Sequence, residues 1–258
     1  TLINLFDQKT NIYFVDNNHD YLKLKKKKIN PIKFDNYDYS NYLKIKNKKG
    51  KNKNFIIFLD CTLDNENNFD YSLRSYKISK FNSKKYWHNM EKFFTKLEKS
   101  TNNKYKVLIA AHPKRPSHNF PIKRKFIYNK TLELVNTSKL VLSHHSYSIN
   151  FAVMCKKPIL LLKSDDFDLS TFERNESIEF LQNKLNLQVI NIDKEKMIEK
   201  KFISKIKIKQ SSYKNFFENF IGFKENESFC QKWNIISSSL KNEIYDKKIF
   251  FKKTKNFI

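Results

Sequence analysis

The chain has 258 residues, of which 40% are hydrophobic and 15% aromatic, with 24 Phe and 13 Tyr; chains that cannot collapse are poor in such residues, so disorder throughout is excluded and a real core is expected. The formal net charge of +25, from 51 Lys+Arg against 26 Asp+Glu, would suit counterion release from nucleic acid. However, the excess is mostly Lys, is spread along the chain and accompanies heavy Asn and Ile usage, which a bias toward AT-rich codons explains; nucleic acid therefore ranks last among partners, behind an anionic substrate or an anionic membrane surface.

Residues 1–54 read as a polar N-terminal segment, a linker or the remnant of a further domain, with a strand at Asn11 to Val15 and lysine runs at Lys25 to Lys28 and around Lys48 to Lys51. Those lysines read as solvated charge. From residue 55 to 258 the texture changes to short apolar runs alternating with helical patterns, the signature of βα units. Strands are predicted at Phe55 to Leu59, Tyr105 to Ala110, Lys125 to Tyr128, Leu140 to Leu142, Ile159 to Leu162 and Gln188 to Ile192. Each is brief and nearly all apolar, as strands buried on both faces should be. Between the first two, Trp87, Met90, Phe94 and Leu97 recur at helical spacing. Shorter helices are predicted at Lys130 to Asn136, Ser148 to Met154 and Ser177 to Leu185. Two aromatic stripes, Tyr213, Phe216, Phe217 and Phe220, then Phe229, Trp233, Ile236 and Leu240, predict C-terminal helices laid on the sheet. The fold class is therefore α/β, an open parallel Rossmann-like sheet flanked by helices, with C-terminal helices.

Cys61, Cys155 and Cys230 are far apart and lack metal-ligand spacing, which points to reduced thiols in the cytoplasm and no metal site. No apolar run approaches the roughly 20 residues that span a bilayer, and the first residues do not read as a signal peptide. The expectation is a cytoplasmic protein, with peripheral contact to the inner face of an anionic membrane.

Ligands of an open parallel sheet bind beyond the carboxyl ends of its strands, so the candidate residues are those at the predicted strand ends. His112 follows a buried strand, and Pro113 ends the ladder because it lacks an N–H. A histidine there can donate to a phosphate or nucleobase oxygen, and Lys114 and Arg115 beside it suit a diphosphate or an acidic sugar. Ser143, His144, His145, Ser146, Tyr147 and Ser148 form a polar turn between a strand and a helix. Hydroxyls at a helix start cap its N–H groups, and the same N–H groups bind phosphate; three serines exceed what a cap needs. Asp60, at the end of the first strand, is the candidate catalytic base or nucleophile, with structural service at the strand end as the alternative. No Gly-rich phosphate loop is present, which disfavours a dinucleotide enzyme or a P-loop NTPase.

The order strand, His112-Pro113, a further βα unit, then a strand followed by the Ser-rich turn at Ser146 and Lys157-Pro158-Ile159 before the next strand resembles the donor domain of GT-B glycosyltransferases. It is most similar to bacterial transferases of surface-polysaccharide synthesis that use CMP-activated acidic sugars, the sialyl- and Kdo-transferase group, over residues 55 to 192. The resemblance implies an enzyme, a metal-independent glycosyltransferase, in which His112, Pro113, Ser146 and Ser148 hold the nucleotide phosphate of a nucleotide-sugar donor. That donor is a substrate, no cofactor is implied, and the acceptor is a cell-surface glycan or glycolipid. The sequence His145-Ser146-Tyr147 departs from the paired serines of that group, so the nucleotide stays open. A complete enzyme of this class also needs an acceptor domain that residues 1–54 are too few to supply. The alternatives are a non-catalytic nucleotide-sugar-binding domain and a basic nucleic-acid-binding protein.

Overall fold

The computed structural model describes residues 13–47, 54–63, 82–116, 121–165, 172–194 and 198–223. The chain forms two compact units, Tyr42–Phe216 and Thr1–Asn41 together with Phe217–Ile258. In chain order the elements are β1 (Phe14–Val15), α1 (Asn18–Lys26), β2 (Ile32–Lys33), α2 (Tyr37–Ile45), β3 (Phe55–Leu59), α3 (Ser83–Ser100), β4 (Lys106–Ala110), β5 (Phe126–Ile127), α4 (Thr131–Thr137), β6 (Val141–Ser143), α5 (Ile149–Met154), β7 (Ile159–Lys163), α6 (Phe172–Leu185), β8 (Gln188–Asn191), α7 (Phe202–Lys205) and α8 (Gln210–Phe216), followed by a π-helical turn at Phe217–Ile221. Among the described residues no helix is long and apolar enough to cross a membrane. The second C-terminal stripe, Phe229 to Leu240, lies outside the described residues.

The larger unit is a six-stranded sheet of order β5-β4-β3-β6-β7-β8, with every neighbouring pair parallel. β3 pairs on one side with β4, from Phe55↔Lys106 to Leu59↔Ala110, and on the other with β6, from Ile57↔Val141 to Leu59↔Ser143. All five of its residues are buried, which is why Phe55-Ile56-Ile57-Phe58-Leu59 carries no polar side chain. Counting the strands of this sheet from β3, the spatial order reads 3-2-1-4-5-6, the doubly wound order of dinucleotide-binding folds.

α3 covers the middle of the sheet. Its buried stripe Tyr86, Trp87, Met90, Phe93, Phe94 and Leu97 packs on Phe58, whose ring lies 5.5 Å from that of Phe94 and 6.4 Å, edge-on, from that of Trp87. Asn82 starts the helix by accepting the Lys85 N–H at 3.0 Å. Its far end is fixed by charge: Glu98 accepts both the Val107 N–H and Arg124 at 2.7 Å. Arg124 also grips Glu91 through Nε and Nη2, at 2.7 and 2.8 Å, and lies 5.2 Å from the Phe94 ring centre. The buried Glu98 thus accepts one guanidinium N–H, from Arg124 Nη1, and a strand N–H.

The smaller unit builds structure where the sequence suggested a polar segment or linker. β1 and β2 pair in parallel, Phe14↔Ile32 and Val15↔Lys33, with α1 between them. Asn17 caps α1 by accepting the Asp20 N–H at 2.9 Å. Lys25 and Lys26 fall in its last turn, where cations complement the helix dipole, so part of the lysine run has a structural use. Val15, Leu24 and Phe223 form a small core with Tyr13, Tyr21 and Ile29 against it. The Tyr39 and Phe217 rings meet edge-on at 5.1 Å.

Phe94 is fully buried between β3 and Arg124. Phe94→Ala is expected to lower stability by about 3–5 kcal/mol, read as a reduced urea midpoint with an unchanged slope.

Candidate functional site

β3 and β6 are neighbours, yet the chain leaves β3 toward β4 and leaves β6 toward β7. Connections therefore diverge on either side of this pair and leave a crevice beyond its carboxyl ends. The turns facing it are Asp60–Leu63 after β3, Ala111–Pro116 after β4 and His144–Ser148 after β6.

Asp60 is buried and grips Arg115, also buried, through two parallel contacts: Arg115 Nε to Oδ2, and Nη2 to Oδ1 at 2.8 Å. The Thr62 N–H adds a bond to Oδ1 at 2.9 Å and the His112 N–H one to Oδ2 at 3.2 Å. Four donors thus occupy a carboxylate that offers about four lone-pair sites. The guanidinium in turn lies over Trp87 and Phe126, 5.2 and 5.5 Å from their ring centres. In this arrangement the Asp60 carboxylate and the Arg115 guanidinium are turned onto each other, the structural service at the strand end that was the alternative for Asp60. Together they brace the turn after β4 against the end of β3.

The brace places His112. Its Nδ1 accepts the Lys114 N–H at 3.1 Å, so the neutral ring carries its proton on Nε2 and presents a donor there. Pro113 and Lys114 are exposed on the same turn, which the Arg115 N–H closes onto His112 O at 2.9 Å.

After β6 the side chains divide by depth. His144 is fully buried. Its Nδ1 meets Leu162 O at 2.6 Å; a carbonyl only accepts, so Nδ1 holds the proton and Nε2 accepts from the Tyr86 hydroxyl at 2.8 Å. The ring stands edge-on to Phe58 at 5.5 Å, making His144 a core residue. Ser143 is also fully buried, and its Oγ has no hydrogen-bond partner among the described residues, a costly state for a hydroxyl. The serines do not cap as the sequence suggests. Ser148 occupies the cap position of α5 with helical φ/ψ and makes no side-chain capping bond, while Ser146 Oγ accepts the Ser148 N–H at 3.3 Å. Tyr147 between them is 91% exposed.

A second polar cluster joins the strand-end residues Ser164 and Asp165 to Asp193 and Asn89, which the sequence reading did not single out. Asp193, two residues past β8, accepts Asn89 Nδ2 at 2.7 Å, Ser164 Oγ at 2.6 Å and the Asp165 N–H at 2.6 Å. Burial pushes its carboxyl up, but these bonds from Ser164, Asn89 and Asp165, with the charge of Lys85, outweigh burial and hold it below the usual carboxylate range. The cluster ties α3 to the ends of β7 and β8. The sequence signal was Asn191-Ile192-Asp193 at a strand end; its partners are 28 and 104 residues distant, beyond any local pattern. Among the described residues no group of His, Cys, Asp and Glu is arranged to hold a metal ion.

No family model and no curated protein matches the sequence. Among solved structures, the chain is similar to a glycotransferase of kitacinnamycin, with 9% identity and a TM-score of 0.33 over 62% of this chain and 38% of that one. It is also similar to the spinosyn forosaminyltransferase SpnP, with 11% identity and a TM-score of 0.35 over 72% of this chain and 43% of that one. The chain spans less than half the length of either.

Removing one partner of a buried pair strands the other charge. Arg115→Ala is expected to cost about 3–5 kcal/mol, and Asp60→Asn combined with Arg115→Leu should recover much of that loss. Equilibrium unfolding of the three proteins checks it; an Arg115→Ala protein as stable as wild type would mean that the pair is not formed.

Proposed function

We propose that the crevice between β3 and β6 binds a nucleotide-sugar, and that the chain is the donor-binding part of a GT-B-type glycosyltransferase that passes the sugar to a cell-surface glycan or glycolipid. The observation that supports this reading is the doubly wound strand order, whose reversal point lies between β3 and β6; Asp60 at the end of β3 accepts the His112 N–H, and the turn Ser143 to Ser148 follows β6. On this reading the Nε2–H of His112 and the hydroxyls of Ser146 and Ser148 donate to the nucleotide phosphate, with Lys114 as the nearby cation. Ser143 contributes its buried hydroxyl, Pro113 shapes the turn and the exposed Tyr147 ring borders the ligand. Glycosyl transfer breaks the bond between the anomeric carbon and the phosphate oxygen as an acceptor hydroxyl attacks that carbon. Negative charge grows on the departing phosphate, and fixed donors with a cation stabilise it. Arg115 acts at one remove, by holding Asp60 and through it the backbone of His112.

The donor we favour is a CMP-activated acidic sugar, from the resemblance of the His-Pro and serine motifs. Phosphate held by hydroxyls, imidazole and lysine needs neither a metal nor a cofactor. The setting is the cytoplasm, at the inner face of the membrane where such glycans are assembled. Saturation of Asp60 favours one further reading, a nucleotide-sugar-binding domain with no turnover of its own. Donor hydrolysis and transfer assays separate the two.

A nucleotide monophosphate is expected to raise the melting temperature, with CMP ahead of UDP or GDP; ligand at 100 times its Kd stabilises by about 2.7 kcal/mol. In calorimetric titrations His112→Ala and Ser146→Ala should each weaken binding by about 1.5–3 kcal/mol. Equal affinities for wild type and both variants would place the ligand elsewhere. Oligonucleotides that stabilise where nucleotides do not would replace this reading with a nucleic-acid one.

Chelation gives a separate check. Nucleotide affinity should be the same with EDTA as with magnesium, and a signal abolished by EDTA and restored by magnesium or manganese would overturn metal independence.

A further inference from the structure

Among the described residues the exposed large hydrophobic side chains are Leu22, Tyr37, Tyr147 and Phe180, and Tyr147, at 91%, is the most exposed of the four. The backbone beneath it is fixed. The Ile149 N–H donates to Ser146 O at 3.0 Å, the Asn150 N–H to Tyr147 O at 3.1 Å and the Phe151 N–H to Ser148 O at 3.1 Å. The Ser148 N–H adds its bond to Ser146 Oγ at 3.3 Å, and Ile149, buried at the start of α5, anchors the turn in the core. The turn therefore holds a large ring out into solvent on a backbone with little freedom. A polar side chain at this position would leave less apolar surface in water, so the packing of the turn does not account for the ring.

A tyrosine presents a flat apolar face with a hydroxyl at its tip, and it loses little conformational freedom on contact. The complement of such a group is a flat C–H face edged by hydroxyls, which is a pyranose ring. The inference rests on the nucleotide-sugar reading, in which the hydroxyls of Ser146 and Ser148, on either side of Tyr147, donate to the phosphate. The transferred sugar is bonded to phosphate directly through its anomeric carbon, whereas the base lies one ribose further away. Exposure decides in the same direction. The sugar has to stand on the solvent side, where an acceptor hydroxyl can reach the anomeric carbon, while a base gains most from a slot closed on both of its faces. If the sugar is acidic, its carboxylate avoids the negative face of the phenol ring, which leaves the C–H face for Tyr147.

We propose that Tyr147 is the sugar platform of the crevice, with its ring stacked on the C–H face of the donor pyranose. Tyr147 thereby separates the whole nucleotide-sugar from the bare nucleotide, a distinction that phosphate contacts alone do not make.

Calorimetric titrations of wild type, Tyr147→Ala and Tyr147→Phe test this with two ligand pairs, CMP with CMP-N-acetylneuraminic acid and UDP with UDP-N-acetylglucosamine. Tyr147→Ala should bind the nucleotide-sugar of the pair that wild type accepts about tenfold more weakly, and the bare nucleotide within about twofold of wild type. Tyr147→Phe keeps the ring face and should retain nucleotide-sugar affinity to within about threefold. Without ligand, both variants should melt within about 2 °C of wild type, because the ring they alter is in solvent. If neither CMP nor UDP binds wild type, the nucleotide reading falls and this inference falls with it. If a nucleotide binds but neither nucleotide-sugar does, the nucleotide reading stands and the sugar platform is overturned. The same holds if Tyr147→Ala weakens nucleotide and nucleotide-sugar by equal factors, or changes neither.

Discussion

Burial of β3 on both faces is the constraint from which the rest of the larger unit follows. A strand flanked by β4 and β6 and covered by α3 has no place for a polar side chain along its length. Polar groups therefore collect where the strands stop. Because the chain leaves β3 and β6 in opposite directions, the ends that collect them also border an opening. The position of the candidate site is thus a consequence of winding, before any particular residue is considered.

The price of that arrangement is a carboxylate and a guanidinium taken out of water at the mouth of the sheet. Asp60 and Arg115 offset it by mutual bidentate contact, by two backbone N–H groups and by the faces of Trp87 and Phe126. Such a pair contributes little net stability compared with apolar residues of the same shape. What it supplies is position. The turn carrying His112 is fixed to β3 through the Asp60 oxygen that the His112 N–H shares with Arg115. Asp193 does comparable work further along the sheet, joining α3 to the ends of β7 and β8.

The two histidines at the ends of β4 and β6, on either side of β3, show how environment divides one side-chain chemistry. His144 is enclosed by Phe58 and Tyr86, with Leu162 O fixing its proton on Nδ1, so its ring serves packing. His112 is half-buried, its Nδ1 accepts from its own turn, and its proton sits on Nε2. Only the second arrangement suits contact with a ligand oxygen. Ser143, Ser146 and Ser148 divide similarly: one hydroxyl is buried with no hydrogen-bond partner among the described residues, one accepts a backbone N–H and one sits at a helix start without capping it.

Local pattern was enough for the elements of the sheet. Runs such as Phe55–Leu59 and Ile159–Lys163 are too apolar and too short for anything but buried strands, and Trp87, Met90, Phe94 and Leu97 fall on one face only if the segment is helical. The same reasoning found the strand ends, because a polar residue after such a run has to leave the core. It could not assign roles there. Asp60 and Arg115 are 55 residues apart, His144 meets Tyr86 across 58, and Asp193 meets Asn89 across 104. Whether a strand-end carboxylate faces a substrate or an arginine is decided by which segments the sheet order brings together, and strand order depends on long-range pairing that no local periodicity encodes. Sequence alone therefore determined the α/β class and where polar groups gather. Only the tertiary structure decided which of them hold one another and which are left facing the crevice.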